Sequence, residues 1–306
     1  MQIPAAVLRG ALRTVRPMFA TERLSIGVKR RVVDVIGGVS RPPRGVPIVK
    51  YRLANVPVER LTPPGGGPAG VLIYLHGGGY ALGSARGYRG IAARLAIAGQ
   101  FEVITVDYSR SPEAQFPTAL HEARDVFMAL VDSGRDPKRI VIAGDSAGGG
   151  LALSLAKYLR DESCPAPAAL GLICPWMDLV SDSNGTRMNR TDPLIETGMI
   201  RDWLVPYVGT GDVHNPLVSP VYGDLSGLPP IVMQSSGDDP IGADADLLED
   251  LLSGAGVSDE VFRHRRHPGL WHVFHLQAGF LPQADAALEH LGTSLREVAD
   301  CGKFVS

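Results

Sequence analysis

The sequence predicts an α/β protein whose mostly parallel sheet is covered by helices on both faces. Three observations carry this. From about position 71 onward, short continuous apolar runs alternate with longer helical stretches, the pattern of strands buried on both sides. The chain has 306 residues, 45% of them hydrophobic, which suits one large α/β domain with an embellishment, or two small domains, and allows a sizeable core. Its 36 glycines and 24 prolines suit many tight turns between short elements.

The elements follow in order. Two helical segments fill positions 4–38. The first sets Val7, Leu8, Leu12, Val15 and Met18 roughly along one face, so docking onto the body of the protein is expected. Arg9, Arg13 and Arg16 interrupt it, which is unlike a secretory leader. No uncharged run reaches membrane-spanning length. Arg41-Pro-Pro-Arg-Gly-Val breaks the helical pattern, and Val46–Pro64 reads as two short strands joined by a turn. The loop Pro63-Pro-Gly-Gly-Gly-Pro follows. Strands are then expected at Val71–Leu75, Glu102–Val106, Ile140–Ala143, Ala169–Cys174, Ile231–Ser235 and Asp259–His264. Helices are expected over 86–99, 117–133, 147–161, 240–254 and 282–299. Residues 176–229 interrupt the alternation with Trp176, Trp203, Tyr207 and a Pro-rich tail. A structureless insertion of that length is uncommon unless functional. The expected organisation is therefore residues 1–45 as N-terminal cap helices and 46–306 as the catalytic domain, with 176–218 contributing to the cap.

The net charge of −2 gives no sign of a nucleic-acid partner or of a firm membrane surface. Cys164, Cys174 and Cys301 are scattered and odd in number, against a disulfide framework or a zinc site. Free thiols in a reducing, cytoplasmic compartment are the simpler expectation.

Ile140-Val-Ile-Ala-Gly-Asp-Ser146-Ala-Gly-Gly-Gly reads as strand, sharp turn and helix, the setting of a G-x-S-x-G nucleophile elbow. Ser146 is the candidate nucleophile. The turn aims the amide of Ala147 at the reacting oxygen. His76-Gly77-Gly78-Gly79-Tyr80 follows the first buried strand. Its glycines let backbone N–H groups approach a developing oxyanion, so Gly77 and Gly78, with Ala147, are the expected donors and Gly79 the reserve. His76 reads as a loop anchor. A serine hydroxyl needs a base, and the base an orienting carboxylate. Two adjacent aspartates, Asp238 and Asp239, end one strand. His272 lies among Leu270, Trp271, Val273 and Phe274, an apolar setting that would fix its ring. His267 and His275 are its rivals, and most of the eight histidines are expected in surface helices or loops. Asp239 is preferred to Asp238, although spacing alone does not separate neighbours.

In chain order, His76-Gly-Gly-Gly-Tyr80, Asp107-Tyr108…Pro112-Glu113…Phe116-Pro117, Gly144-Asp-Ser-Ala-Gly-Gly149, Pro175-Trp176…Asp178-Leu179, Ser219-Pro220, Leu228-Pro-Pro230, Asp239-Pro240 and Gly269-Leu-Trp-His272 together resemble the hormone-sensitive-lipase family of α/β-hydrolases, the bacterial family IV esterases. The resemblance runs from about position 45 onward. It implies an α/β-hydrolase fold with an eight-stranded sheet and a helical cap. It implies ester hydrolysis without cofactor or metal, on small-molecule esters of short or medium acyl chain. It places the acid at the Asp of Asp-Pro-Leu, here Asp239-Pro240-Ile241, and makes Glu113 and Asp145 supporting residues. Departures are Tyr108-Ser-Arg-Ser-Pro-Glu113, Ile241 for leucine, and an acidic residue at Asp244. Homodimerisation through a last strand at Val261–Arg266 is a further implication, although its charges suit edge protection equally. Two other readings use the same pocket: hydrolysis of an amide or N-acetyl group, and a non-catalytic receptor, which the presence of His272 disfavours.

Overall fold

The computed structural model describes residues 2–20, 23–65, 68–184 and 191–301. Residues 21–22, Gly66 and Gly67, residues 185–190 of the insertion and the side chain of Cys301 lie outside the described residues. Helices α1 (Ala5–Val15), α2 (Pro17–Ala20) and α3 (Ile26–Val39) precede β1 (Ile48–Leu53) and β2 (Val56–Leu61). The alternation then runs β3 (Gly70–Leu75), α4 (Arg89–Gly99), β4 (Phe101–Val106), α5 (Thr118–Asp132), β5 (Ile140–Asp145), α6 (Ala147–Asp161) and β6 (Ala169–Ile173). The insertion carries α7 (Leu179–Asn184) and α8 (Thr197–Val208), and β7 (Ile231–Ser236), α9 (Ala243–Gly254), β8 (Phe262–His267) and α10 (Pro282–Cys301) close the chain.

The eight strands form one sheet in the order β1-β2-β4-β3-β5-β6-β7-β8. β2 runs antiparallel to both its neighbours and the rest are parallel. Ala54 and Asn55, both at positive φ, turn β1 into β2, the two-residue geometry that matches strand twist. Period-two alternation sends residues of one strand into two cores. Val71, Ile73 and Leu75 of β3 pack on the face covered by α5 and α6, and Leu72 and Tyr74 on the face covered by α4 and α10. Strands apolar at every position are what such a two-faced sheet requires.

Two expectations shift. The last strand lies at Phe262–His267, three residues beyond its predicted start, because its register on β7 runs from Ile231↔Phe262 to Ser236↔His267. Val261 belongs to the preceding turn, where its amide donates to Ser258 O. Helix α1 docks through Leu12, with Ala5 and Leu8 beside it. Val7 and Met18, predicted on the docking face, are 61% and 41% exposed. No helix among the described residues is long and apolar enough to cross a membrane.

Candidate active site

Everything chemical converges at the C-terminal ends of the parallel strands, where this class of sheet opens a crevice. Ser146 sits between β5 and α6 with φ 52° and ψ −123°, a conformation that side chains rarely adopt. Its neighbours make that turn possible. A Cβ on Gly144 would meet Gly148 O at 2.2 Å, and one on Gly148 would meet Leu75 O at 2.0 Å. The Ser146 amide donates to Ile173 O (2.9 Å), and its carbonyl accepts from Gly150 N (3.0 Å) and Trp176 N (2.9 Å). The elbow is thus held from β6 as well as from its own helix.

His272 Nε2 lies 2.9 Å from Ser146 Oγ, and its Nδ1 lies 2.7 Å from Asp239 Oδ2. Asp239 is fully buried, and its other oxygen accepts from Ile241 N at 2.9 Å. Asp238, one residue earlier, turns away to an ion pair with Arg9 (2.6 Å). The sheet's end therefore separates the two aspartates that spacing left together. Burial works against charge on His272, but Asp239, with Asp192 and Asp145 behind it, more than offsets this and holds the imidazole above the ordinary value of 6.5.

The rival histidines are occupied elsewhere. His275 Nε2 meets Gln234 Oε1 at 2.8 Å, and burial drives its pKa well below the ordinary value. His267 packs against Phe274 at the end of β8, with its pKa lowered to about 4, chiefly by burial. His76 is buried, bonds Gly77 O through Nδ1 (2.8 Å) and stacks on Tyr108 (4.3 Å). Its pKa falls to about 4 by burial, so it is the neutral anchor the sequence suggested. The expectation that most histidines lie at the surface fails: only His214 is exposed.

The oxyanion donors need one correction. The Gly77 amide donates to Asp145 Oδ1 (2.9 Å), a carboxylate that also accepts from Tyr74 OH (2.8 Å). That N–H is spent. A Cβ on Gly77 would collide with the same carboxylate at 2.2 Å, so this glycine serves close packing. Gly78 and Gly79 line the cavity beside Ser146, both at positive φ (114° and 60°). Their amides and that of Ala147 at the start of α6 have no acceptor among the described residues. Gly78, Gly79 and Ala147 are therefore the amides left free beside Ser146 among the described residues.

Asp192 was not anticipated. It is 3% exposed in the insertion; its Oδ2 accepts the backbone amide of His272 (2.7 Å) and its Oδ1 those of Leu194 (2.7 Å) and Ile195 (2.8 Å). A hint existed in the sequence, since Asp192-Pro193-Leu194 spells the Asp-Pro-Leu motif literally. Glu113 and Asp244 take supporting places. Glu113 pairs with Arg30 of α3 (2.6 Å), and Asp244 accepts from Met177 N (2.7 Å) and Asp178 N (2.8 Å).

Above Ser146 lies an apolar cavity of about 100 Å³, walled on one side by Val33, Ile36 and Gly37 of α3 and on another by Leu194, Ile195, Met199 and Trp203 of the insertion. A second recess of about 10 Å³, bounded by Trp176, Ile200, Trp203 and Ile241, also reaches Ser146 and His272. Among the described residues, Cys174, Asp239 and His272 bring one potential metal ligand each within 4.8 Å of one another. Burial raises the Cys174 thiol well above its ordinary pKa, so it stays protonated. The other two groups already bond each other, His272 Nδ1 to Asp239 Oδ2 at 2.7 Å, so the trio offers a cation a poor donor set. Cys174 and Cys164 are free thiols.

A model of the alpha/beta hydrolase fold matches residues 72–276. The hydrolase LipR of Mycobacterium tuberculosis is 51% identical over 97% of this chain and 95% of its own length. An acetyl-hydrolase of Streptomyces hygroscopicus is 36% identical over 87% of each chain. The crystal structure of an esterase from the bacterial hormone-sensitive lipase family superposes with a TM-score of 0.88 at 30% identity, covering 98% of this chain and 100% of that one. The chain therefore belongs to the α/β-hydrolase fold family, in its hormone-sensitive-lipase branch.

Proposed function

We propose that this chain is a serine carboxylester hydrolase that works through an acyl-enzyme on short to medium acyl esters. The observation that carries this is the Ser146–His272–Asp239 chain, with contacts of 2.9 and 2.7 Å, at the floor of an apolar cavity beside three unspent amides. His272 removes the hydroxyl proton as Ser146 Oγ bonds to the ester carbonyl carbon. The carbonyl oxygen takes the negative charge and accepts from Gly78, Gly79 and Ala147. His272 then delivers its proton to the departing alcohol as the C–O bond breaks. Water, deprotonated by His272, attacks the acyl-enzyme; the tetrahedral intermediate collapses to a carboxylic acid, and the proton returns to Ser146. Asp239 fixes the imidazole tautomer and stabilises its charge throughout. Helices α1–α3 and the insertion act as the cap.

A cavity of about 100 Å³ is smaller than the ~150 Å³ engineered cavity that takes benzene, which favours acyl groups of a few carbons. The acetyl-hydrolase relative supports the same range. Nitrophenyl esters of graded chain length should show kcat/KM highest for the shortest chains and falling toward twelve carbons. A fluorophosphonate should label Ser146 stoichiometrically. No label on Ser146, or a preference for twelve carbons, would overturn the reading. A matched anilide should turn over far more slowly than the ester, since its amine must be protonated before it departs; equal rates would favour the amide reading.

The oxyanion assignment has its own test. A Cβ on Gly79 would meet the Trp203 ring at 2.6 Å, in a backbone at φ 60°. Gly79→Ala is expected to lower kcat about 100- to 1,000-fold through the displaced amide. Thermal unfolding measured alongside kcat separates this loss from loss of fold.

A further inference from the structure

Helix α1 lies apart from the reacting atoms, yet one of its side chains touches the loops that carry Asp192, Asp239 and His272. Arg9 Nη2 donates to Asp238 Oδ2 (2.6 Å) and to Gly269 O (2.9 Å), and Nη1 donates to Thr191 O (3.0 Å). Its guanidinium carbon sits 5.4 Å from the centre of the Trp271 ring. Thr191, Asp238 and Trp271 are the residues immediately before Asp192, Asp239 and His272. Those three residues are joined in turn: Asp192 accepts the His272 amide and Asp239 the His272 ring proton. Asp238 N also donates to Leu270 O (2.9 Å), tying the acid loop to the histidine loop a second way.

From this arrangement we infer that Arg9 is a positioning residue for the hydrolysis proposed above, on which this inference rests. The guanidinium gathers the acid loop, the histidine loop and the insertion into one rigid unit, which fixes the distance from His272 Nε2 to Ser146 Oγ. Only an arginine offers a planar fork that reaches three oxygens while stacking on an indole. Its side chain is 18% exposed; the bond to Asp238 is partly sheltered from water, while those to Thr191 and Gly269 are exposed. The same contact explains why the insertion cannot be treated as a loop that merely covers the site: Thr191 is held by Arg9, and next to it Asp192 holds the backbone of His272. A misplacement of the base of about 1 Å is worth on the order of 100-fold in rate.

The test uses the full chain, with Arg9→Ala, Arg9→Lys, Asp238→Asn, the double variant of Arg9→Ala with Asp238→Asn, and Arg13→Ala as an exposed control on the same helix. Nitrophenyl acetate turnover is measured well below each variant's unfolding temperature. Arg9→Ala is expected to lose about 10- to 100-fold in kcat with KM little changed, and to shift the acid limb of its pH profile as the His272–Asp239 contact loosens. Guanidinium added far below denaturing concentration should restore part of the rate to Arg9→Ala and none to wild type. Arg9→Lys should fall between, and Arg13→Ala should match wild type. The double variant should lose less than the product of the single losses. If Arg9→Ala does not fold, Arg9→Lys and the Asp238→Asn comparison still decide. Wild-type kcat and pH profile in folded Arg9 variants, or a loss that guanidinium leaves untouched, would overturn the inference while leaving the hydrolase reading intact. An inert wild type that takes no fluorophosphonate would overturn both.

Discussion

Replacing Ser146 with alanine is expected to remove essentially all ester turnover, a fall in kcat on the order of a million-fold by analogy with serine proteases, where nucleophile and base act as a unit. Its Oγ is the atom that His272 Nε2 faces at 2.9 Å. The thiol nearest the pair does not take its place: Cys174 is buried and bonded to Ser236 Oγ at 3.1 Å, with its thiol held protonated by burial. The fold should survive. Alanine meets the same backbone demand as serine at φ 52°, and the three backbone bonds of the elbow do not involve the side chain. Steady-state assay, burst amplitude and thermal unfolding on one preparation decide the matter. Retained turnover of a nitrophenyl ester by a folded Ser146→Ala protein would remove the nucleophile assignment altogether.

What could be read from the sequence was whatever short-range pattern dictates. Buried strands announce themselves as continuous apolar runs, and a strand–turn–helix with glycines flanking a serine has few other uses. The proposed triad was legible because its members follow β5, β7 and β8 in fixed chain order. What could not be read depends on contacts between distant residues. Three consecutive glycines look alike in sequence, and only the return of the Asp145 carboxylate onto Gly77 N shows which amide is spent. Asp238 and Asp239 differ in sequence only by their neighbours; Arg9, 229 positions away, takes one and His272 the other. Asp192 carried the literal motif and yet serves the backbone of His272 rather than its ring, because a motif states residue types and not directions. The outward turn of Val7 and Met18 has a similar cause, since a helical face is defined by what it meets.

Asp239→Asn is the second large effect, and its pH dependence is the sharper test. Loss of the corresponding aspartate in a serine protease leaves geometry intact but lets the imidazole adopt the wrong tautomer, at about 10,000-fold in kcat; a loss of that order is expected here. The same carboxylate is what holds His272 above 6.5 against the opposing effect of burial. The base works only when neutral, so wild-type kcat/KM should fall as pH drops, with its midpoint above 6.5. Without the Asp239 charge, burial prevails and the residual activity's acid limb should move to lower pH. Stability moves in the opposite sense. A histidine whose folded-state pKa is raised stabilises the fold fully below its unfolded value and loses that contribution as pH rises through the folded one. Asp239→Asn should therefore be more destabilising relative to wild type at pH about 6 than at pH about 8. Asp238→Asn, still able to accept from Arg9, should lose less than about tenfold and keep the wild-type limb. Equal losses in the two variants, or an acid limb unmoved in Asp239→Asn, would mean that the buried carboxylate beside His272 is packing and not the orienting acid.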